Sequence, residues 1–147
     1  MNSGYALFRL AVIVSLSLFA ADRLLATDLT WDATPGDAIN DGSGIWLDPG
    51  QWNDGSPNAS WSNSTPDNAI IGVGGTAGVI TLGAVTAGSV TVTNFTGTYV
   101  LTNGNLTVND TITIATNAGP VSLYTPVSGA AGITKANTGT LLLAGTN

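Results

Sequence analysis

ITLGAVTAGSVTVTNFTGTYVLTNGNLTVNDTITIATNAGPVSL, residues 80–123, is the stretch that decides the fold. An apolar–hydroxyl–apolar triplet recurs in it: Ile80-Thr81-Leu82, Val90-Thr91-Val92, Leu106-Thr107-Val108, Ile112-Thr113-Ile114 and Val121-Ser122-Leu123. Successive side chains of a strand point to opposite faces, so each triplet sets its aliphatics on one side and its hydroxyl on the other. Gly or Asn separates the triplets, as at Gly83, Gly88, Gly97, Asn103-Gly104, Asn109-Asp110 and Asn117. The triplets begin 10, 16, 6 and 9 residues apart, a repeat real in kind but irregular in period. Short strands of this sort suit a sandwich, a barrel or a β-solenoid. A sandwich usually has longer strands and large inward side chains, whereas the inward set here is Val, Ile and Leu with small residues elsewhere. The pattern predicts an all-β chain in which residues 69–147 form a right-handed parallel β-helix, with a β-sandwich as the alternative. At roughly 20–25 residues per turn, three or four turns fit.

Composition points the same way. The 147 residues include 21 Thr, 13 Asn and 19 Gly but no Glu and a single Gln, Gln51. Thr favours strands because branching at Cβ suits a pleated surface. Surface helices need the long polar residues that are missing. There is no Cys, which removes disulfides, thiolate metal sites and a cysteine nucleophile. There is no His, which removes Ser-His-Asp triads, the HExxH zinc site and imidazole general bases. Past Ala26 the chain has eight Asp against Lys135 alone, a net charge near −7. Such a chain cannot neutralise a phosphate backbone, so no nucleic-acid partner is expected. Nor is adhesion to an anionic membrane through a basic face.

Three segments follow. Residues 1–26 read as a secretory leader, with Arg9 flanking the twelve-residue apolar run 10–21, which is too short to span a bilayer. Membrane association is expected only through this leader or through a C-terminal region absent from the chain. Residues 27–68 form a capping lobe that holds Trp31, Trp46, Trp52 and Trp61 and seven of the nine Asp, with dense turn signals such as Asn40-Asp41-Gly42 and Asn53-Asp54-Gly55. Residues 69–147 are the solenoid.

The four tryptophans admit two readings, a small core that caps the first turn or a platform for stacking on sugar rings. Core is favoured, since buried aromatics dominate core energetics and solenoids need caps. The Asp-rich turns offer hard oxygen donors at Asp37, Asn40, Asp41, Asp48 and Asp54, but no calcium loop is matched: Ile39 stands at the third position of the EF-hand frame, and no Glu closes it. No metal or other cofactor is expected. Catalysis is not expected either, because residues 69–147 hold only Asp110 and Lys135 as charged groups, too few for a carboxylate pair or a uronate clamp. The Asn-X-Ser/Thr triplets at Asn58, Asn63, Asn94, Asn105 and Asn109 follow from composition and carry no reading of glycosylation.

The C-terminal stretch 128–147 resembles the autotransporter-associated (passenger-associated) β-strand repeat, whose hallmark is G-[LI]-T-K-x-G-x-G-T-L-x-L-x-G-x-N. Gly132, Ile133, Thr134, Lys135, Gly139, Thr140, Leu141, Leu143, Gly145 and Asn147 fill that frame. Asn137 departs from it, and the chain stops at Asn147, before the repeat finishes. The progression from Trp31-Asp32 through Asp41-Gly42-Ser43-Gly44-Ile45-Trp46 to Gly88-Ser89-Val90-Thr91-Val92 is similar to the opening of such proteins. The resemblance implies a secreted or surface-exposed β-helix of a Gram-negative-type cell, here a truncated fragment. The expected role is a non-catalytic structural or adhesion module, exported to the extracellular medium, cell surface or periplasm, with an extracellular glycan or a surface protein as partner. The alternative is a carbohydrate-binding module that uses the Trp-rich lobe. Leu141-Leu142-Leu143, apolar on both sides, is expected to leave an edge open to self-association.

Overall fold

A computed structural model describes residues 26–36, 38–56, 59–129 and 132–146. The leader falls outside the described residues except for Ala26, as does Asn147 of the repeat frame. The strands are β1 (Asp28–Trp31), β2 (Gly44–Ile45), β3 (Trp52–Asn53), β4 (Asn68–Ile71), β5 (Val79–Ala87), β6 (Val90–Val92), β7 (Tyr99–Val108), β8 (Ile112–Ile114), β9 (Val121–Tyr124), β10 (Val127–Gly129), β11 (Ile133–Lys135) and β12 (Leu141–Leu143). All adjacent pairs but one are parallel, and the chain is a β-solenoid of about three turns. The sandwich alternative does not apply.

The coil has three faces. On the first, β1, β4, β6, β8 and β11 lie side by side, with β3 added antiparallel to β1. On the second, β2 meets the first half of β5, followed by the first half of β7, β9 and β12. The second halves of β5 and β7, with β10, make the third. The corner inside β5 and β7 shows in the burial alternation. Ile80 and Leu82 point inward, the phase slips at Gly83, and Val85 and Ala87 point inward beyond it. In β7 the same slip separates Tyr99 and Leu101 from Leu106 and Val108.

Register explains the irregular spacing of the triplets. On the first face Ala69 lies beside Val90, Val90 beside Ile112, and Ile112 beside Ile133, steps of 21, 22 and 21 residues. The triplets at 90 and 112 belong to this face, those at 80 and 121 to the second, and the one at 106 to the third. Read in chain order they mix three series, each regular by itself.

The core is built of columns. Ile80, Leu101 and Leu123 stand over one another on the second face, and Val85 stands over Leu106 on the third, all buried. Burying each such side chain contributes about 1.5–3 kcal/mol. Outside, the alternate positions stack hydroxyls: Thr91, Thr113 and Thr134 on the first face, and Thr86, Thr107 and Ser128 on the third, where Thr107 and Ser128 share a 3.2 Å hydrogen bond.

Corners stack as strictly as strands. Gly83 has φ +77°, in the left-handed region, and a Cβ at Gly104 would collide with the Gly83 carbonyl in the turn above. Gly104→Ala should therefore lower stability by about 1–3 kcal/mol. Gly132→Ala, where a Cβ meets open space, should leave it within about 0.5 kcal/mol. Urea unfolding monitored by circular dichroism compares the two, and equal midpoints would contradict the stacked corner.

Candidate functional site

The Trp-rich region is where the sequence concentrates its aromatic side chains, and the fold brings all four together. Trp31 ends β1, Trp52 opens β3, Trp46 follows β2, and Trp61 lies in the loop before β4. Trp31 and Trp52 meet edge to face at 5.3 Å, Trp46 and Trp52 at 4.7 Å, and Trp46 and Trp61 at 5.0 Å. Trp52 and Trp61 are tilted at 4.7 Å. These are favoured aromatic arrangements, each contributing about 0.5–1.5 kcal/mol beyond area burial. Trp31, Trp46 and Trp52 are 0% exposed, and only Trp61 keeps part of its surface. Three of the four rings thus have no free face to offer a sugar.

Their polar ends close the first turn. Trp31 Nε1 donates to the Gly42 carbonyl at 3.2 Å, and Trp52 Nε1 to the Trp46 carbonyl at 2.8 Å. Trp61 Nε1 donates to Asn63 Oδ1 and to the Thr86 carbonyl, both at 3.2 Å. Trp46 Nε1 and Asp32 Oδ2 are buried without a partner among the described residues.

Three polar side chains tie this region to the coil. Asp41 accepts from the Val73 N–H at 2.9 Å and the Gly75 N–H at 2.7 Å through Oδ2, and from the Tyr99 hydroxyl at 2.6 Å through Oδ1. Tyr99 is itself buried and accepts from the Gly42 N–H. Asn63 donates to the Ala84 carbonyl and accepts from the Thr86 N–H, both at 2.8 Å, so its amide imitates one residue of a neighbouring strand. The sequence reading placed Asp41 in a turn and among the candidate oxygen donors, and Asn63 only in an Asn-X-Ser/Thr triplet. Their partners lie 21–58 residues away, beyond the reach of any local signal. Asp32, in contrast, serves its own loop, accepting from the Thr34 and Asn40 N–H groups. Among the described residues no group of three or more Asp, Glu, His or Cys side chains is placed to hold a metal ion.

The repeat-frame residues form the last described rung. Ile133, Thr134 and Lys135 sit beside Ile112, Thr113 and Ile114, while Leu141 and Leu143 sit beside Val121 and Leu123. Gly132 precedes β11, and its carbonyl accepts from Thr111 Oγ1 at 3.1 Å. The Thr140 carbonyl accepts from the Val121 N–H at 2.9 Å. Gly139 lies close to Gly119 of the preceding turn, and Gly145 lies against the Thr125 carbonyl with no room for a Cβ. Lys135 Nζ donates to the Asn137 carbonyl at 2.9 Å. Asn137, the departure from the frame, is buried and donates to the carbonyls of Ala118 and Gly119, both at 3.1 Å.

Burial, and then the hydrogen bond to Asp41, push the Tyr99 hydroxyl well above the ordinary tyrosine range. Below about pH 10 the phenol is protonated in folded and unfolded chains alike, whereas above it the unfolded chain releases a proton that the fold retains. Stability should therefore fall as pH rises past about 10. Tyr99→Phe should flatten this dependence, and urea midpoints between neutral and strongly alkaline pH measure it. Parallel slopes for both proteins would contradict the buried link.

No family model matches the chain, and no solved structure matches it. One curated relative is similar, the adhesin BmaC autotransporter of Brucella suis biovar 1 (strain 1330). The identity is 36% over 151 aligned residues, which cover 98% of this chain and 4% of the relative. The chain thus spans a small part of that relative's length.

Proposed function

We propose that this chain, homologous along nearly its whole length to a segment of an autotransporter adhesin, is an exported, non-catalytic β-solenoid module that serves adhesion at the cell surface. The observation that carries the proposal is the homology, taken with a fold whose rungs stack in register. Each turn of 21 or 22 residues adds about 4.8 Å along the axis, using few residue types. Such a coil builds a stiff support and presents flat outer faces. The scarcity of ionisable groups supports a non-catalytic role, since residues 69–147 contain only Asp110 and Lys135. Acidic loops around the first turn favour solubility outside the cell.

Expression in a Gram-negative host, compared with a chain lacking residues 1–26, tests this proposal. The full chain should leave the cytosol where the shortened one stays, and, fused ahead of an outer-membrane translocating barrel, it should be digested by protease added to intact cells and raise attachment to host-cell monolayers several-fold. A chain recovered from the cytosol, or a surface-exposed chain that leaves attachment unchanged, would overturn it.

A further inference from the structure

The outward side of the second face differs from the other two. Its two solvent-facing columns run Ile45, Thr81, Thr102, Tyr124 and Val79, Val100, Ser122, Leu142. Ile45, Val79, Tyr124 and Leu142 are 45, 44, 52 and 40% exposed. They flank a centre in which Thr81, Thr102 and Ser122 present hydroxyls. Neither column contains a charged residue. The first and third faces carry mainly Thr ladders in the same positions.

We propose that this uncharged face binds neutral polysaccharide, with the Tyr124 ring stacking on the apolar side of a sugar and the hydroxyls of Thr81 and Thr102 exchanging hydrogen bonds with sugar hydroxyls. The inference rests on the adhesion role and names the partner class for it. Two observations select this occupant. Four gaps of about 4.8 Å between five rungs and three of about 3.3 Å between four residues give a patch near 19 by 10 Å, or about 190 Å². A stable protein partner needs about 800 Å² per side. Charge excludes an anionic glycan. The face has no cation to pair with it, and residues 27–147 carry eight Asp against one Lys. A mixed surface of hydroxyls and apolar groups matches the amphipathic faces of neutral sugars, and an exposed tyrosine supplies rigid area with a polar tip.

Titration of the full chain with cellohexaose, chitohexaose, mannohexaose and maltohexaose, against a heparin hexasaccharide, tests the face by saturation-transfer NMR. At least one neutral hexasaccharide should bind, and Tyr124→Ala should weaken it about tenfold. Tyr124→Phe should retain binding. Thr102→Glu should abolish it without changing the thermal midpoint, and Trp61→Ala should leave affinity unchanged. Any of four results overturns the proposal: no neutral sugar bound, heparin bound more tightly, affinity surviving Tyr124→Ala, or a dimer that Tyr124→Ala dissolves. A chain that promotes attachment yet binds no sugar would sink this face and leave the adhesion role standing. Sugar binding by a chain that never reaches the surface would do the reverse.

Discussion

Everything in this molecule follows from one requirement: each turn of chain roofs the one before it, in register, through parallel backbone hydrogen bonds. Because the backbones coincide turn after turn, so do the side chains, and Ile80, Leu101 and Leu123 are forced onto one line. A wrong residue is therefore felt by the turns on either side. Glycine corners arise from the same cause. Where Gly104 passes over Gly83, two bends share one vertical line, and a Cβ on Gly104 would run into the Gly83 backbone.

The first turn and the last described rung differ. A parallel sheet edge presents unpaired N–H and C=O groups, and exposed edges invite pairing with other chains. At the first turn these groups find side chains. Ser43 Oγ accepts from the Val79 N–H, Asn63 covers Ala84 and Thr86, and antiparallel β3 lies against β1. Trp31, Trp46 and Trp52 fill the space behind them. At the last described rung Leu142 and Leu143 are exposed, and an apolar hollow of about 200 Å³ opens between Val108, Ile112, Val127, Ile133 and Leu143. This hollow is the core column itself, seen end-on.

Much of this was legible in the sequence. The triplets gave strand identity and inward faces, because alternation is a local property. The family frame placed the final rung, and the tryptophans announced a core. The period was not legible, because three interleaved series look aperiodic until the faces are known. Nor were the tasks of Asp41, Asn63 and Tyr99, since each acts on a residue one or more turns distant. Asn137 shows the same limit: it departs from the family frame, yet its amide satisfies two carbonyls of the preceding turn. Tyr124 carried no signal at all, yet among the described residues it is the large hydrophobic side chain with the most exposed surface.

A coil of near-identical layers has a danger of its own: shifted by a whole turn, most layers would still find an acceptable neighbour. The side chains that seal the first turn remove that ambiguity. Asn63 binds the stretch from Ala84 to Thr86, and Asp41 binds the amides of Val73 and Gly75 together with the Tyr99 hydroxyl. Together they act as the zero mark of a ruler, against which every later layer is counted.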